Sequence, residues 1–369
     1  KFNDYDKPLT HIHVSAEGLV TYNSILYIPS HAPYDYYTKE YEKGLQLYSN
    51  GVLIMEKCSD LLPDYFSFVK GVVDSPDLPL NISRETLQQS RNLKTIATSV
   101  EKKIKSSLKD MLDNDREKYD SFYKSFGMQL KFGVYNNYGM DKDKVSDLLL
   151  FYSSKDKKYV TLDEYVSRMK EGQKEIYYAC GETIDKIELL PQVEAVLDKG
   201  YEVLYLTEYV DEFALQTLME YKEKKFMNVC TNALDLDTEE EKEQIKKENE
   251  EFKDMLNIMK EAIPVVKEVR FTNKLKGHPV CLTSEGGISV EMEKVINAMP
   301  TDEKIQATLV LEINKDHDIV KKIKELYTND KEALKSYSKI LYSQARLIEG
   351  LSIENPTEIS NLVCEFLSK

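Results

Sequence analysis

Alternating apolar and polar residues in the first part of the chain predict a set of β-strands. The segment from Tyr22 to Pro29 alternates between the two classes, as a strand with one buried face does. Two further apolar runs, at 45–48 and 52–55, flank Ser49-Asn50-Gly51, and Asn-Gly between such runs is typical of a hairpin turn. A further strand is predicted from Phe66 to Val73.

A long helix is predicted to follow these strands and to lie across them. Ser83 fits its N-cap, because the hydroxyl oxygen can accept a hydrogen bond from an unpaired backbone N–H, and Arg84 then lies in the first turn. A cation at this end of a helix is slightly unfavourable, so Arg84 is either a solvated surface charge or the partner of an anion. One face carries apolar residues at helical spacing: Leu93, Ile96, Ala97, Val100, Ile104, Leu108 and Met111.

The next part of the chain predicts a helical connector and then a smaller α/β unit. Residues 113–150 keep a helical pattern rich in Phe, Tyr and Lys. Strands and helices alternate after a capping box at Thr161-Leu162-Asp163-Glu164. The expected strands are 175–180, 203–207 and 226–229, and the expected helices are 184–197 and 212–221.

The clearest change in composition begins at Asp235. Ten acidic residues stand against four lysines between Asp235 and Asp254, which places a domain boundary near residue 232. Apolar residues still recur at helical spacing here, so an acidic helix is predicted rather than a disordered linker. Strands are expected at 265–272 and 307–313.

A short helix before Pro300 has an apolar face with two methionines. It follows the flexible stretch Ser284-Glu285-Gly286-Gly287. Its apolar residues are Ile288, Met292, Val295, Ile296 and Met299. This face is either part of the core or an adaptable binding surface, for which polarizable methionines are suited.

Two helices are predicted at the end of the chain. The first carries apolar residues near heptad spacing: Leu334, Tyr337, Leu341, Ala345 and Ile348. The second begins at Asn355-Pro356-Thr357-Glu358 and carries Ile359, Leu362, Val363, Phe366 and Leu367. A terminal helix this apolar needs a partner, which is either its own domain or a second subunit.

Composition restricts the class of protein. The 369 residues include 64 acidic and 50 basic ones, and the net charge of −14 argues against nucleic acid as the main partner. No apolar run approaches the roughly 20 residues of a membrane helix, and the chain starts with neither a signal segment nor an initiator Met. We therefore expect a cytoplasmic chain of two or three domains taken from a longer protein, with no membrane partner.

Candidate chemistry is sparse. The five scattered cysteines form no Cys-x-x-Cys, so neither a disulfide framework nor a metal site is expected, and a reducing compartment suits them. Phosphate-binding glycine loops, the nucleophile elbow of hydrolases and the zinc-protease motif are missing from the sequence. A stand-alone enzyme is therefore disfavoured.

Four strings give the sequence a family resemblance. They are Phe68-Val69-Lys70-Gly71-Val72-Val73-Asp74-Ser75, Leu78-Pro79-Leu80-Asn81-Ile82-Ser83-Arg84-Glu85-Thr86-Leu87-Gln88, Tyr165-Val166-Ser167-Arg168-Met169-Lys170-Glu171-Gly172-Gln173 and Ile176-Tyr177-Tyr178. They resemble the ninety-kilodalton heat-shock chaperones, and the bacterial HtpG branch in particular. The similarity runs from Asp6-Lys7-Pro8-Leu9 to the end of the chain.

The resemblance implies the middle and C-terminal domains of such a chaperone, without the N-terminal nucleotide-binding domain. The expected fold class is α/β (α+β): two α/β sandwich units joined by a helical connector, then a C-terminal α+β dimerisation domain ending in a helical bundle. The expected bounds are 1–112 for the large α/β part of the middle domain, 113–150 for the connector, 151–231 for its small α/β part and 232–369 for the C-terminal domain.

The resemblance also assigns residues. Arg84 would reach the γ-phosphate of ATP, and Gln88 would assist; ATP and Mg²⁺ would be bound mainly by the missing domain, so this chain alone should not hydrolyse ATP. Non-native client proteins would contact Phe213, where bacterial relatives often carry Trp, and the helix bearing Ile288, Met292, Ile296 and Met299. The two terminal helices would form a homodimer. The alternative is a dimeric scaffold or holdase that acts without nucleotide.

Overall fold

The computed structural model describes residues 7–78, 90–231, 233–300 and 304–368. The chain divides into two compact units. The first contains the residues up to Leu150 with 161–163 and 214–218, and the second contains 151–160, 164–213 and 219–369. Sheets and helices are mixed in a α/β (α+β) fold, which confirms the fold class predicted from the sequence.

A five-stranded sheet lies in the first unit. Its strands are β1 (Thr10–Ala16), β2 (Tyr22–Ile28), β3 (Leu45–Ser49), β4 (Val52–Cys58) and β5 (Lys70–Asp74), in the order β1-β2-β5-β3-β4. The predicted hairpin is confirmed: β3 and β4 pair across Asn50 and Gly51, whose φ angles of 50° and 76° suit a turn that needs two positive values.

The strand predicted to begin at Phe66 begins at Lys70 instead. Phe66 ends a 3₁₀ turn over Asp64–Phe66. Phe68 stacks on Phe126 with ring centroids 4.7 Å apart. These aromatic side chains therefore fill the core between sheet and helices instead of extending the ladder.

Two long helices, α1 (Arg91–Asn114) and α2 (Arg116–Tyr135), and the short α3 (Lys142–Val145) complete the first unit. The predicted apolar face of α1 is buried except for Ala97, which is half-buried. The described helix begins at Arg91, where the Ser90 hydroxyl oxygen accepts from the Leu93 N–H. The predicted N-cap Ser83 and first-turn Arg84 lie in 79–89, outside the described residues.

A six-stranded sheet follows. Its strands are β6 (Leu150–Ser153), β7 (Tyr159–Thr161), β8 (Glu175–Cys180), β9 (Val203–Leu206), β10 (Glu220–Tyr221) and β11 (Lys224–Asn228), in the order β10-β11-β8-β9-β6-β7. The three neighbours β11, β8 and β9 are parallel. The helices are α4 (Leu162–Ser167), α5 (Ile184–Glu188), α6 (Pro191–Asp198) and α7 (Asp211–Leu218).

Two predicted helices differ from the structure here. The helix predicted over 184–197 is two helices, because Pro191 lacks an N–H to continue α5 and starts α6 instead. The helix predicted to reach Tyr221 ends at Leu218. Met219 then takes a φ of 68°, and Tyr221 pairs with Lys224 in a short hairpin.

The rest of the second unit is a three-stranded sheet with helices. The strands β12 (Val266–Thr272), β13 (Val280–Glu285) and β14 (Thr308–Asn314) take the order β12-β14-β13. The helices are α8 (Glu239–Glu251), α9 (Lys253–Glu261), α10 (Val290–Ala298), α11 (Ile319–Asn329), α12 (Lys331–Ile348) and α13 (Pro356–Leu367).

The predicted acidic helix and the start of the last helix are confirmed. The Thr238 hydroxyl and the Glu241 carboxylate form a capping box at the start of α8. The Asn355 side chain accepts from the Glu358 N–H, 3.2 Å away, at the start of α13. Strand β13 was not predicted, because five consecutive residues from Val280 are buried and no alternation marks the strand.

Candidate functional site

The candidate site is a cleft at the carboxyl ends of β8 and β9. Ligand sites of parallel sheets usually lie at this edge, where loops leave the strands. The cleft has a volume of about 250 Å³ and lies within the second unit. We call it the α7–α10 cleft, after the helices that carry Glu212, Phe213, Glu291, Met292, Lys294 and Val295 in its lining; the other lining residues are Cys180, Gly181, Glu182, Leu206, Thr207, Glu208, Tyr209 and Gly350.

Two of the predicted client contacts meet in this cleft. Phe213 is half-buried near the start of α7, and Met292 lies in the first turn of α10 with 7% of its surface exposed. Their apolar side chains line the same cavity although 79 positions separate them in the sequence. The cleft can therefore receive an apolar group between two helices.

The buried Glu212 links α7 to α10 by hydrogen bonds. Its carboxylate accepts hydrogen bonds from the Ser289 hydroxyl and from Asn228 Nδ2, the latter at 2.7 Å. Ser289 is also the N-cap of α10, where its oxygen accepts from the Met292 N–H at 3.1 Å. Burial raises the pKa of Glu212, while the hydrogen bonds from Ser289 and Asn228 oppose the rise.

Lys294 ties the other side of the cleft to the end of α12. Its ammonium group donates to Glu291 at 2.5 Å and to the backbone oxygen of Glu349 at 2.9 Å. The Glu349 carboxylate is buried and accepts from Gln192 Nε2 at 2.8 Å. Burial raises the pKa of Glu349 to about 7, which is within the physiological range.

The remaining predicted client residues do not line the cleft. Ile288 is half-buried and packs on the core of the three-stranded sheet. Ile296 is half-buried as well. Met299 lies just beyond α10 and is 43% exposed. The predicted apolar face of this helix is therefore divided between core, cleft and solvent.

The residues predicted for the dimer interface fall into two groups. Leu334, Leu341 and Ala345 are almost fully buried in the core of their own unit. The others are half-buried: Tyr337, Ile348, Ile359, Leu362, Val363 and Phe366. The described part of α13 has no fully buried residue, and Leu367 is 83% exposed.

The predicted catalytic residues Arg84 and Gln88 fall in 79–89, outside the described residues. The residues on both sides of that segment are held by hydrogen bonds. The Ser49 hydroxyl donates to the Leu78 oxygen at 2.5 Å, and Asn92 Nδ2 donates to the Asp77 oxygen at 3.0 Å. The end of the strand region and the start of α1 are thus tied to each other.

Within residues 7–78, 90–231, 233–300 and 304–368, no group of three or more His, Cys, Asp or Glu side chains is arranged to hold a metal ion. Over the same ranges, no helix is long and apolar enough to cross a membrane.

Several residues of the cleft were missed from the sequence. Glu291, Lys294 and Glu208 lie in charged stretches that look like ordinary solvated surface. Glu212 carried one usable signal, since an acidic residue in the first turn of a helix directly precedes the predicted Phe213.

Comparisons with known proteins agree with the sequence resemblance. A model of the Hsp90 protein family matches residues 1–369. The chain belongs to the Hsp90 family. It is 58% identical over 364 residues to the chaperone protein HtpG of Clostridium perfringens (strain 13 / Type A), covering 98% of this chain and 58% of that relative. It is 56% identical to HtpG of Bacillus subtilis (strain 168) over 368 residues and to HtpG of Alkaliphilus metalliredigens (strain QYMF) over 369.

These two matches cover all of this chain and 59% of each relative. The chain thus spans less than two thirds of the length of these chaperones. The relatives are named as chaperone proteins.

Proposed function

We propose that this chain is the client-binding and dimerising part of an ATP-dependent, cytoplasmic Hsp90-family chaperone. The observation that carries the proposal is the α7–α10 cleft, which brings Phe213 and Met292 together at the carboxyl edge of a parallel sheet. An aromatic ring and a thioether give apolar contact that adapts to many shapes, as a protein that holds varied non-native chains requires.

Client binding is tested by substitutions that remove the apolar walls. Phe213→Ala and Met292→Ser should weaken the binding of an unfolded reporter protein by this chain, measured by fluorescence anisotropy. Met140→Ser is the matched control, because Met140 is 70% exposed and lies outside the cleft. Affinity equal to wild type in both cleft variants, with intact circular dichroism, would return Met292 to a purely structural role.

Dimerisation through α13 is supported by its unfilled apolar surface. The half-buried Ile359, Leu362, Val363 and Phe366 have room for further contacts. A symmetric partner would remove this apolar surface from water. Truncation after Glu354 should halve the mass measured by analytical ultracentrifugation. An unchanged mass would exclude α13 as the dimer contact.

Arg84 and Gln88 are proposed to act on ATP held with Mg²⁺ by a separate nucleotide-binding domain of the full protein. An arginine is always protonated, and its planar fork suits the charge on a phosphoryl group in transfer. In the full-length protein, Arg84→Ala should lower ATP turnover by more than about tenfold, or about 1.4 kcal/mol of barrier. Arg84→Lys keeps the charge and tests the fork itself.

The second candidate, a nucleotide-independent dimeric holdase, predicts the opposite outcome. It is favoured by the cleft, which needs no nucleotide to receive an apolar group. Equal protection of a heat-denatured protein by the full-length protein with and without ATP, together with unchanged turnover in Arg84→Ala, would support it.

A further inference from the structure

The α7–α10 cleft is charged as well as apolar. Four carboxyl groups line it, from Glu182, Glu208, Glu212 and Glu291, against the single ammonium group of Lys294. The formal charge of the lining is therefore −3, from one positive and four negative groups.

The carboxyl groups lie close enough to influence one another. Burial raises the pKa of Glu212, and the negative charge of Glu291 adds to that rise. Burial likewise raises the pKa of Glu349, below the cleft, and Glu291 again adds to it, while Lys294 acts in the opposite direction. The excess of acidic groups in the lining therefore gives the cleft a negative field.

Lys294 cannot cancel this field by itself. Its ammonium group is already engaged with Glu291 and with the backbone oxygen of Glu349. Glu182 is paired with Lys186, but that pair is largely exposed to solvent, so water and salt screen it. A second cation entering the cleft would find carboxylate oxygens at its rim and low-dielectric walls around it.

The walls determine what must accompany the cation. Phe213, Leu206, Met292 and Val295 present an aromatic ring and aliphatic side chains to the same space. A ring face also attracts an ammonium or guanidinium group directly. Lysine and arginine combine an apolar stem with a charged head, so their side chains can lie along such walls with the charge at the rim.

We propose that the α7–α10 cleft selects client segments in which lysine or arginine stands next to apolar residues, and that it rejects equally apolar segments bearing acidic residues. This inference rests on the proposed client-binding function and adds its charge specificity. Negative field and apolar wall act together, so neither property alone defines the ligand.

The test compares three labelled peptides with identical apolar residues and with lysine, glutamine or glutamate at the remaining positions. With the full 369-residue chain, fluorescence anisotropy should give the order lysine, glutamine, glutamate in decreasing affinity. The spread should shrink at about 0.5 M salt, where the Debye length is only a few Å. Equal affinity for the lysine and glutamine peptides would overturn the proposal.

Substitutions then locate the charge. Glu208→Gln and Glu291→Gln should each reduce the preference for the lysine peptide, by up to about fivefold for one exposed pair. Glu223→Gln is the matched control, since Glu223 is exposed and does not line the cleft. A control that reduced the preference as much as the cleft variants would show that the net charge of the chain is responsible.

Phe213→Ala separates the two proposals. If it weakens all three peptides while their order persists, both proposals stand. If it weakens them and no order exists, client binding stands and charge selection fails. If it weakens none of them, the cleft is not the client site and the proposed function fails with it.

Discussion

Glu349 is expected to make the stability of the second unit depend on pH. Its carboxyl group is buried, with one side-chain amide as hydrogen-bond donor, and its pKa rises from 4.5 to about 7. Because the folded state favours the protonated form, the stabilisation is present below pH 4.5 and is lost as the pH rises through 7. One pKa unit corresponds to about 1.4 kcal/mol, so the loss between pH 5 and pH 8 is about 2 to 3 kcal/mol.

Glu349→Gln removes the ionisation and keeps the shape. Gln192 Oε1 is buried and has no hydrogen-bond partner among the described residues, so a second amide at position 349 also offers a donor near it. Urea unfolding followed by circular dichroism at pH 5, 6, 7 and 8 gives the difference between wild type and variant. The variant should be about 2 to 3 kcal/mol more stable relative to wild type at pH 8 than at pH 5.

An exposed glutamate provides the control for this experiment. Glu325→Gln changes an exposed carboxylate on α11 and should shift the free energy of unfolding by a similar small amount at every pH. A difference between wild type and Glu349→Gln that stayed constant from pH 5 to pH 8 would refute the reasoning.

Four other substitutions, with Glu312→Gln as a compensating fifth, test the backbone geometry and the packing of the fold. Glu223 has a φ of 62°, which costs a non-glycine residue about 1 kcal/mol, so Glu223→Gly relieves that cost and should raise the thermal midpoint. Gly51→Ala introduces the same cost at a φ of 76° and should lower the midpoint. Tyr165→Phe should cost about 1 to 3 kcal/mol in urea unfolding, because its hydroxyl donates to the Glu202 oxygen at 2.7 Å and accepts from the Tyr177 N–H at 3.0 Å. Arg270→Ala should lower the free energy of unfolding by about 3 to 5 kcal/mol in the same measurement, because it leaves the buried Glu312 carboxylate without its ion-pair partner. Adding Glu312→Gln to that variant should recover part of the lost stability.

Local chemistry was enough to predict many elements. Asn50-Gly51 determines its own turn, and Asn355-Pro356 determines the start of its own helix, because the deciding hydrogen bonds and φ angles lie within a few residues. The predictions failed where a residue distant in the sequence, or a competing local signal, determined the local structure. Phe66 and Phe68 have the composition of strand residues, but Phe68 stacks on Phe126 of α2, which the local sequence does not indicate.

The cleft was predicted only in part for the same reason. Phe213 was found only through the family resemblance. Met292 was found on an apolar helix face that the sequence pattern alone left open between core and binding surface. The network below them joins Gln192 and Glu349 across 157 positions, and Glu212 and Ser289 across 77. The sequence around one member of each pair does not indicate the other member, because Gln, Glu and Ser are all common in exposed segments.

The single hydroxyl of Ser289 has a consequence for how the cleft responds to a ligand. Its oxygen caps α10 by accepting from the Met292 N–H, and it donates to the Glu212 carboxylate in the first turn of α7. A ligand that displaces Phe213, next to Glu212, therefore also perturbs the N-cap of the helix that carries Met292. Phe213 and Met292 then cannot change position independently of each other. Their contributions to affinity should be strongly non-additive in a double-mutant cycle, and Ser289→Ala should make them additive.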